Sequence, residues 1–226
     1  MRKVTGLFAA FVGLAASGPR ADAAFFTDPA AFAAALNATP TPYTESFDAP
    51  RGAGLGTAQA TPANFTNGTF SYQISAPIFD LDPLPLYQSA NGGRNNSPAF
   101  GNFVFNAALT VTFAGTNVTA FGGYFFASDD ITVFQSAPIT LRVSNGDTLT
   151  RTPTSVNGGF IGYTSTAPIA SFSLLTRTDG RFNNVDDFTV GSARPLANVV
   201  PLPPTAVLGG LAGVLGLLRV ARRRGA

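Results

Sequence analysis

The amino-acid sequence predicts an all-β protein: an antiparallel two-sheet β-sandwich with one short N-terminal helix, followed by a C-terminal transmembrane helix. Three observations lead there. From Phe65 onward, β-branched and aromatic residues alternate with Thr, Ser and Asn, the two-residue period of a half-buried strand. Gly, Pro or Asn interrupts that pattern every few residues, as turns between short antiparallel strands require. No long amphipathic helix and no regular alternation of strand and helix competes, which sets aside an α/β architecture.

The elements follow in chain order. Arg2 and Lys3 precede an apolar run over residues 4–16, and Ala21-Asp22-Ala23 puts small residues at the two positions a signal peptidase inspects. Residues 1–23 therefore read as a secretory signal peptide, carried by the Sec translocon and cleaved by signal peptidase after Ala23. Residues 24–198 suit a single domain. Its helix starts with Asp28 as N-cap and Pro29 at the first helical position, and runs through Phe32 to end near Leu36. Strands are expected at 69–75, 109–113, 118–126, 131–134, 139–143, 148–151, 160–164, 169–175 and 185–190. Asn145-Gly146 is the tight turn that makes 139–151 the clearest hairpin. With 21 phenylalanines and no tryptophan, phenylalanine supplies most of the buried core area.

Residues 199–226 carry three parts in a fixed order. Val199-Val200-Pro201-Leu202-Pro203-Pro204 comes first, then an uncharged apolar run over 206–218, then Arg219, Arg222, Arg223 and Arg224. An apolar helix stopped by arginines halts translocation and leaves everything N-terminal to it outside the cytoplasm. The run alone spans about 20 Å, short of a hydrocarbon core of roughly 30 Å. Counted over 203–221, with the stem of Arg219 buried and its head at the interface, it reaches roughly 28 Å and crosses with little tilt.

Val200-Pro201-Leu202-Pro203, a short Leu/Gly/Ala helix and Arg-Arg-Arg together resemble the VPLPA-CTERM branch of the PEP-CTERM sorting signals. Pro204 departs from that branch, which has alanine there. The resemblance implies an exosortase-like membrane protease as partner, removal of the tail, and an inner-membrane-anchored precursor delivered to the cell envelope or extracellular matrix of a bacterium. Two other readings of these residues stay open. Leu202-Pro203-Pro204-Thr205-Ala206 is similar to the LPXTG sortase motif with Ala206 in place of glycine, and the segment also reads as a tail anchor that is never cleaved. Residues 121–191 resemble the ectodomains that precede this signal, in Phe121-Gly122-Gly123, Gly158-Gly159-Phe160-Ile161-Gly162-Tyr163, Ala167-Pro168-Ile169 and Val185-Asp186-Asp187-Phe188-Thr189-Val190-Gly191. That second resemblance implies a jelly-roll or lectin-like sandwich.

Charge and composition exclude several function classes. The chain holds 14 basic and 12 acidic residues, but three basic residues lie in the leader, four lie in the tail, and Asp22 is the one acidic residue in either. Seven basic against eleven acidic residues remain, a net charge of about −4 with no lysine, so nucleic acid is not a partner. With no histidine, a Ser/His/Asp triad, an imidazole base and every histidine metal site are excluded. With no cysteine, thiol catalysis, disulfides and thiolate metal sites go too.

What remains is carboxylate chemistry. Glu45, the sole glutamate, and Asp48 form the one nearby Glu/Asp pair, which an extracellular polysaccharide hydrolase would need; as solvated residues at the sandwich entry they do no chemistry. Calcium needs neither His nor Cys, and Asp186 and Asp187 are its foremost candidate ligands, ahead of Asp129-Asp130 and Asp80 with Asp82. Neighbouring carboxylates on an extended strand point to opposite faces, so a shared ion requires the backbone to bend. The glycine-rich stretch Asn91-Gly92-Gly93-Arg94-Asn95-Asn96-Ser97 lacks the setting of a phosphate loop; it reads as a mobile loop able to meet sugar hydroxyls, with Tyr87 as a stacking face. The expectation is a non-enzymatic, exported surface or matrix protein that serves adhesion, matrix structure or weak binding of extracellular polysaccharide.

Overall fold

The computed structural model describes residues 23–194, apart from 51–54, 79–84, 105, 130–132, 177 and 179. These fall in the first of the chain's two units, Met1–Arg194; the second, Pro195–Ala226, lies outside them. The sorting motif Val200-Pro201-Leu202-Pro203, the apolar segment, the stop at Arg219, Arg222, Arg223 and Arg224, and Ala21 of the leader are therefore outside the described residues. Among the described residues no helix is long and apolar enough to cross a membrane.

The chain opens with β1 (Ala23–Phe26), α1 (Pro29–Ala35) and β2 (Tyr43–Glu45). β3 (Thr57–Gln59), β4 (Ala63–Thr66), β5 (Ser71–Ser75), β6 (Leu86–Gln88) and β7 (Phe100–Asn102) follow. Longer strands come next: β8 (Leu109–Ala114), β9 (Ala120–Ser128), the brief β10 (Phe134–Gln135), β11 (Ile139–Val143) and β12 (Thr148–Arg151). β13 (Phe160–Ser165), β14 (Ser171–Thr176) and β15 (Phe182–Gly191) close the domain.

They form two antiparallel sheets. The larger runs β1-β13-β9-β15-β7-β6-β3, with β10 also paired to β9 and β2 to β15; the smaller runs β12-β11-β14-β8-β5-β4. Inward side chains of both sheets meet in one core, where the Phe121 ring of β9 stacks on Phe172 of β14 at 4.2 Å and 9°. Phe188, fully buried, packs against Tyr72, Phe113, Phe125 and Phe172. Such ring pairs contribute about 0.5–1.5 kcal/mol each beyond area burial, which explains how a core with no tryptophan is filled.

α1 forms where the sequence places it. Asp28 caps it, its Oδ1 accepting the Ala30 N–H at 2.9 Å, and Pro29 stands in its first turn. The helix lies on the outer face of the larger sheet, where Phe32, Leu36, Ala120, Tyr124 and Phe160 make a second, smaller cluster. At its C-terminal end the N–H of Arg194 donates to Ala35 O at 2.8 Å and Arg194 Nε to Leu36 O at 2.7 Å, so the last carbonyls of a short helix are satisfied.

β9 and β15 carry Tyr124, Asp186, Asp187 and Thr189, around which the candidate site is built. Between Asp186 and Thr189 their register shifts: Asp186 lies opposite Tyr124 and Thr189 opposite Gly122, one extra residue on β15. Asp187, at φ +47°, absorbs that residue. The alternation resumes beyond it with Phe188 and Val190 in the core, as Val185 was before it.

A groove beside α1

The bulge answers the objection that adjacent carboxylates point apart. Its bend lets both Asp186 and Asp187 meet Arg94, which arrives on the 3-10 turn Arg94–Asn96. Asp186 Oδ2 accepts the Arg94 backbone N–H at 2.6 Å and the Ser97 hydroxyl at 3.0 Å, while Oδ1 accepts the Asp187 N–H at 2.8 Å. Asp187 Oδ2 takes Arg94 Nη1 at 3.1 Å. The guanidinium carbon stands 4.7 Å above the Tyr124 ring centroid, within cation–π range.

Burial and charge act on these groups in opposite directions. Asp186 is fully buried, and desolvation raises its pKa to about 6 although its hydrogen bonds pull the other way. The Arg94 pKa is raised chiefly by its hydrogen bond to Asp187. Gly93 is required for the close approach, since a Cβ there would lie 2.5 Å from Asp186 Oδ2 and 2.7 Å from Pro98 O. The glycine-rich stretch is thus anchored to β15, with Asn95 and Asn96 exposed on it.

This donor set does not fit calcium. The ion takes six to eight oxygens free to face it, whereas the Asp186 oxygens face N–H and O–H donors and Asp187 faces a guanidinium. Among the described residues no three His, Cys, Asp or Glu side chains gather to hold a metal. Asp129 accepts from Gln135 Nε2 at 2.6 Å, and Asp80, Asp82 and Asp130 lie outside the described residues.

Beside the Arg94 cluster a groove of about 580 Å³ opens between α1 and the outer sheet face. Phe32, Leu36, Tyr124 and Phe160 give it an apolar side; Asn37, Thr44, Arg94, Asp187, Thr189 and Arg194 give it a polar one. Thr44 and Thr189, side by side on β2 and β15, share a hydroxyl hydrogen bond of 2.8 Å.

Glu45 and Asp48 are not part of it. Thr44 faces the groove, and since neighbouring strand residues alternate, Glu45 faces the other way with Tyr43, which packs on the core. Tyr43 Oη donates to Glu45 Oε2 at 2.6 Å and the Phe47 N–H to Oε1 at 3.1 Å. The carboxylate thereby supports the left-handed backbone at Phe47, φ +59°, an uncommon conformation for a bulky residue. Asp48 is exposed, and neither it nor Glu45 lines the groove.

Tyr87 does not serve as a stacking face either. It lies buried in β6 against the edge of Phe103, and burial raises its pKa. Tyr124, Arg194, Asn37 and the Thr44/Thr189 pair were not legible as one site, because they come from three stretches far apart in sequence, 37–44, 124 and 189–194. No protein-family model matches this chain and no curated protein matches it, so the groove's chemistry rests on its own residues.

Proposed function

We propose that the protein is an exported, non-enzymatic component of a bacterial cell surface or extracellular matrix, whose sandwich binds polysaccharide weakly, in the manner of a lectin, through the groove beside α1. The observation that carries the reading is the groove itself: a preformed concavity with an apolar side and a few convergent polar groups, of the size ligand sites have. Its hydroxyls, amide and guanidinium groups are hydrogen-bonding partners for sugar oxygens. The sole glutamate turns away from it, which supports binding without hydrolysis. Export rests on the leader ending at Ala23 and on the tail from Val200 to the arginines, the latter read by an exosortase-like protease.

Two measurements test this. The mass of protein recovered from the cell surface is expected to correspond to a chain starting at Ala24 and ending upstream of Arg219. A surface form still ending at Ala226 removes the sorting reading, and a chain confined to the cytosol removes export. On a glycan array, with and without calcium, binding is expected without cleavage. Cleavage of a matrix glycan that Glu45→Gln abolishes would install the hydrolase in its place.

A further inference from the structure

The polar groups of the groove specify more than carbohydrate in general. Arg94, held on Asp187, stands toward one end, and Arg194 follows the far end of β15. The Thr44/Thr189 hydroxyl pair comes between them along β15, where the rise is about 3.3 Å per residue. Asp187 is already matched by Arg94. Arg194 is held by the neutral Leu36 carbonyl, and among the described residues no carboxylate is paired with it. Arg194 is therefore the cation of the groove lining that no carboxylate matches, inside a domain whose net charge is about −4. With screening over about 8 Å, a ligand carboxylate beside Arg194 responds to that arginine rather than to the distant net charge.

The apolar side sets a second condition. Arg94 covers the Tyr124 ring, while Phe32 and Phe160 are 3% and 6% exposed and pack on each other. No open aromatic face awaits a neutral pyranose, so affinity has to come from the guanidinium groups. Arginine pairs with planar carboxylates through parallel N–H donors, the strongest polar contact these residues can make. We infer that the groove takes a uronate, an acidic sugar whose carboxylate is held by Arg194 and whose hydroxyls meet Thr44, Thr189 and Asn37. The inference rests on the carbohydrate-binding reading and narrows it to one ligand class.

The test is calorimetric titration of the full chain in mild detergent with EDTA present. The probes are an oligogalacturonate, its methyl ester and a neutral gluco-oligosaccharide of equal length. The free acid is expected to bind at least about tenfold more tightly than the ester, which keeps every hydroxyl and loses only the charge. Arg194→Gln is expected to lower affinity for the acid by about tenfold and so to remove most of the preference for acid over ester. Equal binding of acid and ester overturns the uronate inference while leaving carbohydrate binding standing. So does an Arg194→Gln protein with native near-ultraviolet circular dichroism and undiminished affinity. Failure of all three probes to bind removes the carbohydrate reading together with it.

Discussion

Asp186 Oδ2 accepts the backbone N–H of Arg94 at 2.6 Å across 92 residues of sequence. That bond joins the closing strand to the turn whose side chain walls the groove, and it does so with a buried carboxylate. Charge-assisted hydrogen bonds are the strong kind, yet desolvation, with the Asp187 charge adding to it, outweighs them and raises the pKa to about 6. The cluster fixes Arg94 in place through a buried carboxylate.

The pH dependence follows with a definite sign. The folded value of about 6 lies above the unfolded aspartate value of about 3.9, so the native state binds this proton more tightly. The stabilising contribution is complete below pH 4 and is lost as pH rises through 6. The gap corresponds to about 3 kcal/mol at full effect. Asp186→Asn removes the titration, so the stability difference between wild type and variant, from urea unfolding at pH 4, 5, 6 and 7, is expected to shift in favour of wild type as pH falls. A difference independent of pH removes the claim.

Gly93→Ala tests the same cluster from the opposite side. A methyl 2.5 Å from Asp186 Oδ2 and 2.8 Å from Ser97 O cannot be accommodated by rotating a flexible chain end, because backbone carbonyls stand on two sides. The turn has to lift, taking its donors from Asp186. We expect a loss of about 2 kcal/mol and faster amide hydrogen exchange over 93–97. Unchanged exchange there would show that the turn does not depend on the close approach.

Chelation provides a direct check on the metal. A ligand bound to the native state alone raises the melting temperature by mass action, and stripping it lowers that temperature. Because Arg94 supplies the positive charge at Asp186 and Asp187, EDTA is expected to leave the melting temperature unchanged. A drop reversed by added calcium would place an ion in the protein after all.

The strands that alternate cleanly were legible in the sequence; those read from neither alternation nor length were not. β11 and β12 form the hairpin at Asn145-Gly146, with Gly146 at φ +97°, and β5, β8, β13 and β14 lie within a residue or two of expectation. β9 ends at Ser128 rather than 126, and its nine residues are all buried, with α1 packed over the Ala120–Tyr124 part of the outer face, so no half-buried period marks its end. β1, β2, β3, β4, β6 and β7, three or four residues each, are too short to show a period and exist through pairing with longer strands. Asp186 and Asp187 were recognisable as unusual, but the bulge that brings them onto Arg94 depends on register against β9, which local sequence does not encode.

Phe32 and the glycine pair beneath it offer the sharpest test of how α1, and with it the groove, is held. Gly122 of β9 and Gly162 of β13 are direct register partners, and a Cβ on either would enter the Phe32 ring, at 2.7 Å and 2.5 Å. The glycine-rich patterns around 122 and 162 thus have a structural purpose: they form the seat for one phenylalanine. Gly162→Ala alone is expected to cost about 1–3 kcal/mol by overpacking, and Phe32→Ala about 3–5 kcal/mol through the lost ring. In the double variant the added methyl meets no ring, so its penalty should largely vanish and the two costs should fall short of additivity by about 1 kcal/mol or more. Urea unfolding of the four proteins measures this coupling. Strict additivity would mean that α1 rides on the sheet without the glycine seat, and the groove would then need another explanation for its fixed wall.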